Sequence, residues 1–122
     1  MRGNFFNKNK APLLSPLDLQ TLKAIADHGD NKSAIRDVIH FTYFLEDAEA
    51  RKFAQALLAQ GFHDVELGQS GSAEDDIEFV VRAHHDGTLV ESDIGERLST
   101  IRKLAITHSG EYDGWEAAIV AK

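Results

Sequence analysis

The stretch RDVIHFTYFLEDAEARKFAQALLAQG, residues 36–61, changes its hydrophobic pattern part-way along. Residues 36–44 are rich in β-branched and aromatic side chains over the length of one strand, and Ile39, Phe41 and Tyr43 share one face of it. In the second half, the apolar residues recur with the spacing of an amphipathic helix. The stretch therefore predicts a strand that is followed directly by a helix.

Polar residues and a glycine indicate where this helix begins and ends. Asp47 is the predicted N-cap, Glu49 suits the first turn, and Gly61 is predicted to end the helix. The predicted buried side carries four apolar residues: Phe53, Ala54, Leu57 and Leu58.

A second helix is predicted upstream, in SPLDLQTLKAIADHG, residues 15–29. Ser15 is its predicted N-cap, Pro16 occupies the favoured first position, and Asp18 faces back toward the cap. Gly29 is the predicted stop. The apolar stripe of this helix consists of Leu19, Leu22, Ile25 and Ala26.

Two further strands are predicted downstream, as a hairpin. In FHDVELG, residues 62–68, the apolar residues Phe62, Val65 and Leu67 alternate imperfectly. In IEFVVRAH, residues 77–84, alternation is regular and places Ile77, Phe79, Val81 and Ala83 on one face. Glu74, Asp75 and Asp76 form an acidic cluster between the strands, which is typical of a solvated hairpin tip.

The last predicted helix is SDIGERLSTIRKLAITHSG, residues 92–110. Its predicted apolar face carries Ile94, Leu98, Ile101 and Ala105. Acidic residues lie in its first turn, and Arg102, Lys103 and His108 lie toward its end. Gly110 is predicted to end the helix in the left-handed conformation.

The stretch GEYDGWEA, residues 110–117, follows this helix and predicts a turn into a final strand. Gly114 follows Asp113 in a dipeptide favoured where φ becomes positive, so it predicts a bulge or a close backbone approach. Trp115 is a predicted anchor whose indole N–H needs a partner. The predicted strand face carries Trp115, Ala117 and Ile119, and the predicted near-surface residues are Glu111, Tyr112, Asp113 and Glu116.

The order of these elements is a helix followed by βαββαβ, which predicts a ferredoxin-like α+β sandwich. In that arrangement the third strand pairs between the first two, the fourth flanks the first, and the helices cover one face of an antiparallel sheet. Residues 15–122 are predicted to form one domain, with an N-terminal helix at about 15–28 and a core at about 35–121. Residues 1–14 lack periodicity and are predicted to be a flexible arm.

The composition restricts the classes of function. With no cysteine among 122 residues, the chain has no disulfide, zinc thiolate or thiol nucleophile. Its net charge is -7, from 13 Lys and Arg against 20 Asp and Glu, which disfavours direct nucleic-acid binding and suits a basic protein partner. The lack of a long apolar run predicts a cytoplasmic protein without a membrane segment.

The side chains of catalytic and metal sites form no recognisable motif. His84 and His85 are adjacent and point to opposite sides of a strand, and the other four histidines, His28, His40, His63 and His108, show no ligand spacing. The sequence has neither a G-x-S-x-G elbow nor a phosphate loop. We therefore expect no catalytic residue, cofactor or metal, and only a weak candidate partner surface at Glu74, Asp75 and Asp76.

A resemblance to a known family narrows the prediction. EYDGW, preceded by LSTIRKLA and by FTYFLEDAEARKFAQALLAQGF, resembles the regulator of ribonuclease activity B family, also called ribonuclease E inhibitor protein B, over about residues 30–120. The resemblance implies a ferredoxin-like sandwich that is not an enzyme and that binds the C-terminal scaffold region of ribonuclease E, so changing messenger RNA turnover. The matching residues, which are the family signature or a first candidate partner surface, are Glu111, Tyr112, Asp113, Gly114 and Trp115.

The chain also departs from this family. Members can carry Gly after the Trp and a long acidic tail, whereas this chain has Glu116 and ends at Lys122, so no tail-borne contact is expected. The expected partner is a ribonuclease E-like nuclease, and the chain is expected to be a monomer or a homodimer. The alternative is an RNA-binding or protein-interaction module of the same fold, since RNA-recognition domains display strand aromatics on an open sheet face.

Overall fold

A computed structural model describes residues 14–71 and 77–122. These residues form helices α1 (Pro16–Asp27), α2 (Asp47–Ala59) and α3 (Glu91–Thr107), and strands β1 (Arg36–Phe44), β2 (His63–Ser70), β3 (Glu78–Gly87) and β4 (Glu111–Ala117). The predicted order of elements is therefore confirmed. The acidic cluster of Glu74, Asp75 and Asp76 and residues 1–13 of the predicted arm lie outside the described residues.

The four strands form one antiparallel sheet in the order β2-β3-β1-β4, as predicted. Strand β1 is central and pairs along its whole length with β3, from Arg36 opposite Gly87 to Phe44 opposite Phe79. Its other edge pairs with β4. The molecule is thus an α+β sandwich whose sheet has one face covered by helices.

Helices α2 and α3 pack on that covered face. One core cluster joins α2, α3 and β3 and includes Phe53, Leu57, Val81, Ala83, Ile101 and Ala105. A second cluster consists of Val38, Leu89, Ile94 and Leu98. All four residues that were predicted for the buried face of α3 are buried.

The buried face of α2 differs from the prediction at one position. Leu58 is 55% exposed, whereas Ala50 is fully buried. Ala50, Phe53 and Leu57 follow the i, i+3, i+7 spacing of a single helical stripe, and Leu58 lies about 100° further round the helix. The prediction of Leu58 as a core residue was therefore wrong.

The predicted cap is confirmed for α1 and wrong for α2. Ser15 Oγ accepts a hydrogen bond from the Asp18 N–H at 3.1 Å, and the Asp18 carboxylate accepts one from the Ser15 N–H at 2.9 Å. Helix α2 instead begins at Asp47, after an N-cap at Glu46 that makes no side-chain cap bond. The Asp47 carboxylate accepts hydrogen bonds from Arg51, one turn later, at 3.0 and 3.1 Å.

The prediction for Gly110 was also wrong in its mechanism. Ser109 takes the left-handed conformation, with φ of 60°, at the end of α3. Gly110 is required for another reason, because a Cβ at this position would lie 2.3 Å from Cε2 of Phe44. Gly29 and Gly61, by contrast, end their helices with φ of 81° and 90°, as predicted.

Helix α1 packs less fully than its apolar stripe predicted. Leu22 and Ile25 are half-buried against the second core cluster. Leu19 is 47% exposed and Ala26 is exposed, because this side of α1 borders an open groove of about 220 Å³. Helix α1 is also attached by a polar junction, in which Asp18 of α1 binds Arg102 of α3 and Trp115 of β4.

Candidate functional site

The indole N–H of Trp115, which was predicted to need a partner, binds Asp18 on α1. Its Nε1–H donates to Asp18 Oδ1 at 3.0 Å, and Arg102 on α3 donates to both oxygens of the same carboxylate, at 2.8 and 3.0 Å. Asp18 is only 3% exposed. Burial by itself raises the pKa of Asp18, but hydrogen bonds from Arg102, Ser15 and Trp115 outweigh this and lower it. Trp115 therefore helps to close a buried junction between α1, α3 and β4.

A β-bulge explains how β4 reaches this junction. Phe41 of β1 pairs with Gly114, but the next residue, Thr42, pairs with Tyr112, so Asp113 is the extra residue. Gly114 has φ of 145°, which a glycine adopts readily. In a regular strand, residues 112 and 115 would face opposite sides of the sheet, and the bulge lets both point to the covered side. The predicted bulge at Gly114 is confirmed.

Tyr112 is not the near-surface residue that the sequence predicted. It is half-buried and packs against both core clusters. Its hydroxyl group hydrogen-bonds with Nδ1 of His40 at 2.8 Å, and burial raises its pKa. The Arg102 guanidinium lies 5.0 Å from the centre of its ring. The prediction was wrong because it did not extend the effect of the bulge at Gly114 to the direction of the Tyr112 side chain.

Strand β4 also ends earlier than predicted. Trp115 and Ala117 pack against the second core cluster, but the strand stops at Ala117, and Ile119 is 46% exposed. The predicted strand face is therefore wrong at Ile119. Beyond the strand, the buried Asp30 accepts a hydrogen bond from the Val120 N–H at 2.8 Å. This bond directs the C-terminal residues toward the loop before β1, so they do not continue the pairing with β1.

Two histidines meet in the core, which the sequence did not indicate. His40 on β1 and His85 on β3 are both fully buried, and Nε2 of His40 lies 2.8 Å from Nδ1 of His85. Phe62 packs edge-on against both rings. Burial lowers the pKa of His40 to about 3, with the nearby His85 adding to the shift, and burial lowers the pKa of His85 to about 4. Both rings are therefore neutral near pH 7.

The neutral pair extends the polar junction into the core. A neutral imidazole has one donor and one acceptor. The hydrogen bonds that join Tyr112, His40 and His85 must therefore all run in the same direction along this row of three side chains. Among the described residues, Nε2 of His85 has no hydrogen-bond partner. The rings lie beneath Phe62 and the helices, away from the open face.

The uncovered face of the sheet is a candidate surface for recognition. The residues Ile39, Phe41 and Tyr43 share this face, as their alternation predicted, and are half-buried. With Val80 on β3, Phe41 and Tyr43 line a shallow groove of about 660 Å³. An ion pair between Arg82 and Glu66 also lines the groove.

Acidic side chains border this apolar centre. Glu116 pairs with Ile39, and Glu111 pairs with Tyr43, so both glutamates lie on the open face of edge strand β4. Asp37 and Asp86 pair with each other at one end of the same face. The surface thus has an aromatic and aliphatic centre, which we call the open-face groove, and an acidic border.

The residues matching EYDGW differ in how far they are exposed to solvent. Glu111 and Asp113 are exposed, whereas Tyr112, Gly114 and Trp115 are half-buried. The second candidate surface, the acidic cluster Glu74, Asp75 and Asp76, lies outside the described residues. None of the helices within the described residues has the length and apolar character needed to cross a bilayer.

Comparison with known proteins agrees with the resemblance at EYDGW. The family model for Regulator of ribonuclease activity B matches residues 17–117. The chain belongs to this family. The matched region starts in α1 and ends at the last residue of β4, so the regulator of ribonuclease activity B domain includes the polar junction and the open face. No curated protein matches the sequence.

Proposed function

We propose that the chain is a non-catalytic regulator that binds a ribonuclease E-like nuclease in the bacterial cytoplasm and thereby modulates RNA degradation. The observation that carries this proposal is the family match over residues 17–117, because the family is one of regulators of ribonuclease activity. A regulator of this kind acts through a protein partner, so its interface must be exposed.

The open-face groove is the surface that best suits such a partner. Protein interfaces concentrate binding energy in a few aromatic and aliphatic side chains surrounded by a polar border. Phe41, Tyr43 and Val80 supply the centre, and Glu111 and Glu116 lie on the border. With a net charge of -7, the chain attracts a basic segment to this face.

Of the residues that match the family motif, we propose that Glu111 and Asp113 contact the partner directly. Their side chains are exposed, and their charge suits a basic segment. Tyr112, Gly114 and Trp115 would act indirectly by holding β4 in place, since they build its bulge and its junction with α1.

The direct test is binding to the ribonuclease E-like nuclease of the same organism and to its isolated C-terminal scaffold segment, with RNA cleavage measured in parallel. Tyr43→Ala should weaken binding by at least about tenfold, as expected for a central interface residue. Ile106→Ala is the matched control, because Ile106 is 78% exposed on α3, and we expect a change of less than about twofold. Circular dichroism establishes that both variants are folded.

Two results would contradict this proposal. If the intact nuclease does not bind and excess regulator leaves cleavage unchanged, the family match extends to the fold alone. If Tyr43→Ala and Ile106→Ala bind as tightly as the parent while the nuclease is still regulated, the partner surface lies elsewhere.

The alternative of RNA recognition makes a different forecast for the same face. An RNA-binding domain would stack bases on Phe41 and Tyr43, and labelled single-stranded RNA would bind at low salt and lose affinity in Tyr43→Ala. We expect no such binding, because the acidic border repels phosphates.

Light scattering after gel filtration distinguishes a monomer from a homodimer in which a second copy occupies the open face.

A further inference from the structure

Three polar residues from three strands meet at one end of the open face. Asp37 on β1 lies opposite Asp86 on β3, and His63 on β2 lies opposite His84 on β3. Nε2 of His63 is 3.3 Å from a carboxylate oxygen of Asp86. One ligand atom each from Asp37, His63 and Asp86 can be chosen so that all three lie within 4.8 Å of one another.

A bulge in β2 brings His63 to this position. Val65 packs against the core, so regular alternation would also turn His63 toward the covered face. The register of β2 and β3 shifts between His63 and Glu66, and Asp64 within this bulge has φ of 49°. The bulge places the His63 ring on the open face, where its centre lies 5.8 Å from that of His84.

Neighbouring groups orient the ligand atoms. Nδ1 of His63 lies 2.6 Å from a carboxylate oxygen of Asp64, which accepts a hydrogen bond from the Nδ1–H and leaves Nε2 for the other two carboxylates. Nε2 is buried at the atom level, and its contact with Asp86 at 3.3 Å is an ion pair without good hydrogen-bond geometry. His84 holds Asp37 through contacts of 2.9 and 3.0 Å. Such carboxylate and imidazole contacts orient the ligands of metal sites.

We propose that Asp37, His63 and Asp86 form a surface site for a divalent transition-metal ion, with zinc as the best fit. One imidazole nitrogen and two carboxylate oxygens form a donor set that zinc binds at about 2.0 to 2.2 Å in tetrahedral geometry. Ligand atoms in such a site are about 3.4 Å apart, and the His63–Asp86 distance of 3.3 Å already matches.

Zinc suits both the positions and the chemistry of these ligands. The three ligand atoms lie within 4.8 Å of one another, so Asp37 has to approach the others by at most about 1.4 Å, which its half-exposed side chain permits. Magnesium and calcium prefer sites with oxygen ligands alone, so the imidazole favours a transition metal. Because the side chains of Asp37, His63 and Asp86 are all partly exposed, the fourth position of the ion would be open to water or to a donor from a partner.

Metal binding at this position would connect the edge strand β2 to β1 across β3. An ion that binds only the folded state stabilises it, and at about ten times the dissociation constant the melting temperature should rise by about 5 °C. Hydrogen exchange in β2 should slow, because opening this edge strand would break the site.

The test is a calorimetric titration of the full chain with zinc chloride at about pH 7.5. We expect one zinc ion per chain, with binding weakened at least about tenfold in His63→Gln and in Asp86→Asn. His108→Gln is the matched control, because Nδ1 of His108 also lies near a carboxylate, 3.4 Å from Glu49, without the other two ligands. This variant should bind zinc, and gain thermal stability from it, as the parent does.

Amide spectra recorded during the titration provide a second measurement that does not depend on the variants. Zinc should shift the signals of Asp37, His63 and Asp86 first and to the same saturation point. Shifts centred elsewhere, binding that does not saturate at one ion, or unchanged affinity in a folded His63→Gln protein would each overturn the site. Magnesium at the same concentrations should leave the spectra unchanged.

Discussion

Asp18 serves both as part of a helix cap and as a tertiary anchor. Its carboxylate accepts the Ser15 N–H at the start of α1 and also binds Arg102 and Trp115 from α3 and β4. A charged group this deeply buried is stable only because several donors replace the water that it loses. Trp115 thus contributes to stability through a specific hydrogen bond as well as through packing.

Trp115→Phe should separate these two contributions. The ring still packs, but Asp18 loses one donor, and a hydrogen bond to a charged group is worth about 1.5 to 3 kcal/mol, so the free energy of unfolding should fall by about 1.5 kcal/mol. Urea denaturation measures this change. In an Asp18→Ala background the same substitution should cost much less, and an equal cost in both backgrounds would show that the hydrogen bond is not the cause.

Gly110→Ala tests a steric requirement at the other end of β4. The added methyl group would lie 2.3 Å from the Phe44 ring, so the core must shift, and overpacking of this kind costs about 1 to 3 kcal/mol. Gly68→Ala is the control, because its Cβ would meet Val80 at an ordinary 3.5 Å. Chemical denaturation should show a loss for Gly110→Ala that decreases when Phe44 is changed to Leu.

At the level of helices and strands, local patterns predicted much of the fold and little of the site. The capping box of Ser15 and Asp18 and the Asp113-Gly114 bulge depend on residues close in sequence, so they could be predicted. The meeting of His40 and His85 depends on the register of β1 against β3, which sequence spacing does not contain. The same holds for the contact between Asp18 and Trp115, 97 residues apart.

The three-residue cluster of Asp37, His63 and Asp86 at the end of the open face was missed for a related reason. Separate strands supply Asp37, His63 and Asp86, and only the bulge at Asp64 turns His63 toward the other two. The imperfect alternation of residues 62–68 was the one sequence signal of that bulge. A reading that allowed a bulge there would have placed His63 on the open face.

The paired histidines predict how stability depends on pH. His40 and His85 have pKa values of about 3 and 4 in the folded state, below their value of about 6.5 in the unfolded chain. The unfolded chain therefore takes up protons first, so this stability is complete above about pH 6.5 and is lost as the pH falls toward 4. His63, whose pKa is raised chiefly by its hydrogen bond to Asp64, opposes part of the loss.

We expect the free energy of unfolding to fall by about 2 to 3 kcal/mol between about pH 7.5 and pH 5.0. Urea denaturation at the two pH values measures this loss. Nuclear magnetic resonance of the imidazole rings provides the control, because His40 and His85 should stay neutral over this range, whereas His63, with its raised pKa, should be protonated at pH 5.0. Titration of His40 and His85 near their ordinary value in the folded protein would contradict the prediction.

For the whole molecule, the two faces of the sheet have different tasks. The covered face holds the core clusters and the buried histidines, so substitutions there act through stability. The open face carries the groove, the acidic border and the three-residue cluster of Asp37, His63 and Asp86. Recognition is therefore best tested with substitutions on the open face, because the fold does not depend on burying the side chains there.

The net charge of -7 predicts how ionic strength affects the proposed association with a basic nuclease segment. Attraction between exposed charges acts over a Debye length that shortens from about 10 Å at 0.1 M salt to about 3 Å at 1 M. Because this attraction steers the encounter, the association rate constant should fall at least about tenfold over that range, while the dissociation rate constant changes by less than about threefold.

Stopped-flow fluorescence with the labelled scaffold segment measures both rate constants. Glu116→Gln should slow association at low salt and reduce the dependence on salt, because Glu116 lies on the open face. Glu96→Gln removes the same charge from an exposed position on α3 and should have a smaller effect on the association rate constant. Equal effects of the two variants would mean that the overall charge attracts the partner without directing it to the open face. An association rate that does not change with salt would contradict electrostatic steering altogether, and contacts within the groove would then have to supply the specificity.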